Sequence, residues 1–171
     1  MATMQEQNVS VCDKTVKKSQ NGTQATINNQ THSLMTLHRS HNWSGSPDVG
    51  HFPTTISPND HAIFTHWNGN SFGSKAAVVY TGKNAANVDC AWVVAWHAPA
   101  DNTFPNRAFV ACETKQIIDD NLDFEKIQEY LDKGLTYSNS ASLRAKIIVH
   151  ANVKDTDPNY ATLVSNIGLL P

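Results

Sequence analysis

The sequence predicts a mainly β protein, an antiparallel β-sandwich with one or two flanking helices. Two observations carry that reading. Three short apolar runs, Ala76–Tyr80, Ala91–Trp96 and Ala108–Cys112, are separated by segments rich in Gly, Asn, Asp and Pro. Such spacing marks the strands of a sandwich or barrel. The period then changes, because Ile117, Leu122, Ile127 and Leu131 stand near helical spacing. With 171 residues the chain is long enough for one domain with a sizeable core. We expect a flexible N-terminal arm over residues 1–22 and a single β-sandwich domain over 23–171.

The elements follow in order. Val9, Val11, Cys12 and Val16 make only a thin apolar stripe, too little to offset the entropy of ordering the arm. A helix over residues 9–19 is the alternative. Ala25–Ile27 and Ser33–Leu37 read as a hairpin about Asn28-Asn29-Gln30, since Asn tolerates the left-handed backbone of a turn. Residues 38–60 read as a long connection stiffened by Pro47, Pro53 and Pro58. His61–Trp67 and Lys75–Tyr80 are strands, with Asn68-Gly69-Asn70 and Gly73-Ser74 as turns. After a turn over Gly82–Asp89, Cys90–His97 and Arg107–Lys115 form a long antiparallel pair. Asp119, Asp120 and Asp123 place negative charge at the start of the helix, where its dipole favours it. Gly134 falls just past its end. Ser142–Val149 and Ala161–Leu169 close the chain as strands. In the first, Leu143, Ala145, Ile147 and Val149 alternate with Arg144, Lys146, Ile148 and His150.

Composition excludes several functions. Hydrophobic residues make up 40 % and charged residues 16 %, with a formal net charge of −2. A nucleic-acid partner would need a clustered basic face, and Lys17-Lys18 is the one basic pair near the N-terminus. No apolar run approaches the roughly 20 residues of a membrane span. No leader-like apolar segment is visible either, so a cytoplasmic location and reduced thiols at Cys12, Cys90 and Cys112 are expected. Phosphate loops, zinc spacings and nucleophile elbows are missing, so no cofactor is expected. Cys90 and Cys112 lie in apolar strands and read as buried, inert thiols.

Ile27-Asn28-Asn29-Gln30-Thr31, Asn42-Trp43-Ser44-Gly45-Ser46-Pro47, His61-Ala62-Ile63-Phe64 and Gly73-Ser74-Lys75-Ala76 recur in a distinctive order. They are followed by Gly82-Lys83-Asn84, Asp89-Cys90-Ala91-Trp92 and Asn106-Arg107-Ala108-Phe109. Together these blocks, over roughly residues 25–113, resemble the 23-kilodalton jasmonate-induced protein family of plants. More distantly, the order of elements resembles the actinoporin-like sandwich shared by pore formers and fungal fruit-body lectins. In that likeness Trp96-His97-Ala98-Pro99 stands at the edge of a ligand groove and Phe124–Leu131 is the late helix. The pore formers carry an amphipathic N-terminal helix and an aromatic cluster that holds phosphocholine. Here the N-terminal segment is rich in Gln, Asn and Lys, and the segment of residues 101–106 keeps only Phe104 of that cluster. Tyr130 matches one further ring position.

His32, His38, His41, His51, His61 and His66 crowd one region. They read as surface or loop histidines; no metal is expected, and His38 and His41 are the candidates if one binds. Trp92, Val94 and Trp96 share a strand face and read as core. Trp43 and Trp67 sit in or beside polar loops, where packing and stacking on a sugar ring are both open. The candidate ligand-binding residues are Trp43, Trp67, His97, Pro99, Phe104 and Tyr130, in a groove built by residues 38–60, Trp67 and the His97–Phe104 edge. His97 is also the candidate acid or base.

The resulting expectation is a stress- or defence-associated plant protein that binds a small ligand, a glycan or lipid headgroup, without catalysis. The alternative is an enzyme of specialised metabolism, a cyclase or isomerase using His97 for proton transfer; a pore former ranks third. Stable membrane insertion is not expected, and a homo-oligomer is left open.

Overall fold

In a computed structural model of the chain, the structure describes residues 21–69, 72–101, 104–155, 157 and 159–171. The expected arm, with its alternative helix over residues 9–19 and Cys12, lies almost wholly outside them. The strands are β1 (Gly22–Asn29), β2 (Met35–Ser44), β3 (Ser46–Pro47), β4 (Thr55–Ile56), β5 (Asp60–Trp67), β6 (Ser74–Lys83), β7 (Asp89–Ala98), β8 (Arg107–Thr114), β9 (Tyr137–Ser142), β10 (Ile147–Lys154) and β11 (Tyr160–Leu169). The helices are α1 (Lys115–Asn121) and α2 (Phe124–Lys133). A six-stranded sheet runs β3-β5-β1-β11-β10-β9 and a five-stranded sheet β4-β2-β6-β7-β8. Neighbours are antiparallel except β1 and β11, which pair in parallel. The predicted sandwich with helices is the observed fold. Among the described residues, no helix is long and apolar enough to cross a membrane.

Strands β6 and β7 are apolar without alternation because both their faces are buried. Ala76, Val78, Tyr80, Trp92, Val94 and Trp96 face the six-stranded sheet, meeting Ala25, Ile27, Phe64, Val149, Leu163 and Ile167. Ala77, Val79, Ala91, Val93 and Ala95 face the helices and pack on Ile127 and Leu131. The described residues thus form three layers: sheet, sheet and helix pair. The small residues on the helix side let the helices approach closely.

Four expectations are corrected. Ala25–Ile27 and Ser33–Leu37 are not a hairpin, since β1 and β2 belong to different sheets. Asn29 does not turn the chain; it is buried inside β1 and ties down the crossing. Its Nδ2 donates to the carbonyls of Ser33, Ile56 and Ser57 at 2.9–3.0 Å, and its Oδ1 accepts from Thr31 N at 3.0 Å and Oγ1 at 2.7 Å. Residues 38–60 are not one long connection. β2 continues through Ser44, polar and half-exposed, with irregularities at Leu37/Arg39 and Asn42/Ser44 that break any alternation. The single helix is two: Asp123 interrupts it and caps α2, its Oδ1 accepting from Glu125 N at 2.9 Å and Lys126 N at 3.3 Å. Leu143 is not a core residue of a strand but 85 % exposed, in the turn before β10.

His66 overturns the reading of the histidines as surface groups. It is fully buried, stacked on Phe52 with ring centroids 5.9 Å apart and set edge-on to Trp96 at 5.4 Å. Trp96 Nε1 donates to Ser74 Oγ at 3.0 Å, and that hydroxyl lies 2.9 Å from His66 Nδ1. His66 Nε2 is 3.0 Å from Asn42 Oδ1, an acceptor, so Nε2 carries the proton. The neutral ring is therefore fully satisfied. Gly45, at φ +99°, closes over it; a Cβ there would meet the Trp67 carbonyl and come 2.7 Å from His66 Cε1.

Burial lowers the His66 pKa from its ordinary 6.5 to about 4. Between those values the unfolded chain holds a proton that the native chain does not, so stability falls as pH falls. The loss attributable to His66 is about 3 kcal/mol across that window. Urea midpoints measured from pH 7 to pH 4 should therefore drop more steeply for the wild type than for His66→Gln. Parallel slopes would show that His66 binds its proton alike in the folded and unfolded states.

Candidate functional site

Double burial ends where the strands outrun the helices. There β6, β7 and β8 present Lys75, His97 and Arg107 in direct register, on the face that α2 covers. All three reach toward one acid on the last turn of α2. Lys75 Nζ lies 2.5 Å from Asp132 Oδ1, and His97 Nδ1 lies 4.0 Å from the same atom. The Arg107 guanidinium donates to the Asp132 backbone carbonyl. Lys75 is buried, with 8 % of its side chain exposed against 44 % for Asp132.

A cavity of about 230 Å³ opens beside this row, lined by Trp43, Ser44, Phe72, Lys75, His97 and Gln128. Trp43 supplies an aromatic wall, with Lys75 Nζ 5.8 Å from its ring centroid. Phe72 stands 70 % exposed at the rim. His97 Nε2 lies 3.2 Å from the Phe72 carbonyl, so it holds the proton and donates. That leaves Nδ1 as a buried acceptor with no hydrogen-bond partner among the described residues. Burial lowers the His97 pKa, and Lys75 and Arg107 push the same way against the Phe72 carbonyl and Asp132. Lys75 and Arg107 thus both meet Asp132 at the edge of the cavity, one at its carboxylate and one at its backbone carbonyl.

Trp43 and His97 are brought together here. Pro99 is buried in the loop behind His97, where Gly73, at φ +87°, packs against the loop backbone. Phe104 is 60 % exposed on the same loop, with the Arg107 guanidinium 5.9 Å from its ring centroid. The structure does not bring Trp67 and Tyr130 to this cavity. Trp67 lies on the outer face of the six-stranded sheet, its ring 5.8 Å from that of Tyr160. Tyr130 stacks on Phe109 at 5.5 Å and lines a separate apolar cleft of about 330 Å³ with Ile118, Leu122 and Ile127.

The metal candidates hold helices instead. His38 Nε2 lies 2.7 Å from Asp119 Oδ1, and Lys115 Nζ bonds the other oxygen of that carboxylate at 2.5 Å. Those two contacts, Lys115 first, hold Asp119 below the usual carboxylate range. His41 stacks on Phe124 at 5.0 Å and meets Trp43 edge-on at 4.9 Å. Among the described residues no three His, Cys, Asp or Glu side chains converge on a metal position. Cys90 and Cys112 are buried free thiols; burial pushes Cys90 up to about 11 and raises Cys112 as well.

Sequence reasoning missed Phe72, Lys75, Arg107, Gln128 and Asp132. The signal for part of the set was register. Pairing two adjacent antiparallel strands places Lys75 opposite His97, and His97 opposite Arg107. Asp132 and Gln128 come from a helix, and only its docking brings them over the row.

A family model described as Nakanori-like protein matches residues 1–166. A relative from Atriplex canescens, named jasmonate-induced protein homolog, is 32 % identical over 154 residues, covering 89 % of this chain and 82 % of its own. The likeness seen in the blocks of residues 25–113 is therefore borne out. Among solved structures, the lipid binding protein Nakanori matches with a TM-score of 0.73 at 15 % identity, over 87 % of this chain and 71 % of its own. It shows the shared fold. A lectin from Xerocomus chrysenteron matches with a TM-score of 0.44 at 14 % identity, over 85 % of this chain and 97 % of its own.

The ion pair makes an asymmetric prediction. Asp132→Asn strands the buried Lys75 charge and should destabilise by about 1–3 kcal/mol, discounted for the exposure of Asp132. Lys75→Met leaves an exposed carboxylate in water and should cost less. Urea denaturation of the two variants at pH 7 checks this order, and a larger loss for Lys75→Met would reverse the account.

Proposed function

This chain belongs to the Nakanori-like family, and on that footing we propose that it is a non-enzymatic binding protein for the polar head of a phosphate-bearing lipid. The carrying observation is the register-matched row of Lys75, His97 and Arg107 with the carboxylate of Asp132 set against it. Two basic side chains at the end of one strand row can share the oxygens of a phosphate.

The surroundings support a lipid over a free phosphate. Phe72 and Phe104 stand exposed on neighbouring loops at the same end of the five-stranded sheet. Exposed aromatic rings at one rim suit the boundary between headgroups and acyl chains. Nakanori, a lipid binding protein that shares the fold, points the same way. In this reading His97 is a wall of the cavity and not an acid or base, because its Nδ1 lies 4.0 Å from the Asp132 carboxylate and, among the described residues, no side chain hydrogen-bonds it. A part in a stress or defence response rests on the name of the Atriplex canescens relative. A cytoplasmic location belongs to the same proposal and is supported by the free thiols of Cys90 and Cys112.

Flotation with phosphatidylcholine vesicles, with and without a phosphoinositide or phosphatidic acid, tests the reading. The chain should float with the anionic vesicles without releasing an entrapped dye. Trp43→Ala and Lys75→Met should each weaken binding about tenfold, equivalent to about 1.4 kcal/mol. His97→Ala should weaken it by roughly 1–3 kcal/mol through a lost contact. Undiminished flotation of Lys75→Met, or capture by immobilised sugars that Trp43→Ala abolishes, would move the cavity from lipid to glycan.

A further inference from the structure

The outer face of the six-stranded sheet is unlike an ordinary solvated surface. Its register aligns His61, Asn28, Asn166, His150 and Asn139 in one row across β5, β1, β11, β10 and β9. Asn152 projects from the same face, in the next row with Tyr137, Val164, Thr26 and Ile63. Asn is disfavoured within strands, yet four of them project outward here. Solvated faces normally carry interspersed Lys and Glu. Among the described residues, Lys154 is the one fully charged side chain that these strands send outward.

The row is internally ordered. Asn28 Nδ2 donates to Asn166 Oδ1 at 2.8 Å, and Asn166 Nδ2 in turn lies 2.8 Å from His150 Nε2. The amide nitrogen can only donate, so His150 Nε2 accepts and the ring proton sits on Nδ1. Asn139 Nδ2 donates to the Tyr137 hydroxyl at 2.9 Å. These bonds fix the side chains and leave the Asn28 oxygen, the His150 Nδ1–H and the Asn139 oxygen for an outside partner. Acceptors and a donor thus stand along one line, held in place before any partner arrives. A shallow depression of about 490 Å³ reaches the row at His150 and Asn166 and extends over Tyr137, Asn152, Lys154, Thr162 and Val164. Five strands about 4.8 Å apart make the row roughly 19 Å long.

We propose that this face is a second binding site, independent of the Lys75 cavity, that seats a neutral oligosaccharide across the Asn28–Asn166–His150–Asn139 row. Each sugar offers hydroxyls that donate and accept, matching the mixed amide and imidazole groups. The half-exposed Tyr137 ring gives a sugar's C–H face a surface to lie on. The near absence of charge weighs against phosphate, nucleic acid or an anionic bilayer.

The test is titration calorimetry of the full chain against a panel of neutral oligosaccharides of glucose, mannose, galactose, xylose and N-acetylglucosamine. At least one should bind in the millimolar range or tighter. Asn166→Ala and His150→Ala should each weaken it tenfold or more, with Asn166→Thr as a β-favouring control for folding and Lys75→Met without effect. Failure of the whole panel overturns the proposal, as does binding unchanged by Asn166→Ala and His150→Ala in folded protein. Loss of sugar binding in Lys75→Met alone would also overturn it, by assigning the sugar to the other cavity. Vesicle flotation of Asn166→Ala should match the wild type, so failure of either site is read separately.

Discussion

The architecture depends on the burial of β6 and β7 on both faces. Tyr80, Trp92 and Trp96 fill the space between the sheets, while Ala77, Val79, Ala91, Val93 and Ala95 give the helices a smooth floor. Fully buried aromatic side chains of this size contribute several kcal/mol each, and truncating one typically costs about 3–5 kcal/mol. Polar atoms of Tyr80 and Trp96 inside this layer are satisfied locally, whereas Trp92 Nε1 is buried without a hydrogen-bond partner among the described residues. Tyr80 donates its hydroxyl to the Pro53 carbonyl at 2.7 Å, and burial raises its pKa above the ordinary range. Trp96, Ser74, His66 and Asn42 form one bonded chain that runs from the inter-sheet core toward β2.

The candidate sites lie where that constraint stops. At the ends of β6, β7 and β8 the apolar run gives way to Lys75, His97 and Arg107, held rigidly by register rather than by a loop. Side chains placed this way lose little freedom on meeting a ligand. The helix layer adds Gln128 and Asp132 and so converts a strand edge into a walled cavity. On the far side, among the described residues, the six-stranded sheet has no third layer over it. Its outer face is free to carry polar groups without cost to the core, and it carries an uncharged row of amides and imidazoles.

Several expectations failed for physical reasons that differ. β2 and β9 are polar strands, MTLHRSHNWS and YSNSAS, so hydrophobic alternation could not reveal them; β2 is paired by the sequence-distant β6, and β9 by β10 across the short turn of residues 143–146. Asn29 had the composition of a turn residue, but its amide serves carbonyls of Ser33, Ile56 and Ser57 that come together only in the fold. Asp123 was legible as an acid near a helix start. Its role as a cap between two helices required knowing that Leu122 leaves the helical conformation, with ψ at 111°.

The sequence by itself determined the sandwich, the buried strands from residue 76 to residue 112, the helical segment and the burial of Trp92 and Trp96. Those features follow from local period and composition, which act over a few residues. It also singled out Trp43 and His97, which do share a cavity. Tertiary structure alone decided that Trp67 and Tyr130 lie elsewhere, that His66 is a core residue, and that Asp132 answers Lys75. Each of these is a matter of which face meets which, across separations of tens of residues. Strand order and helix docking set those meetings, and neither is written in the period of any single segment.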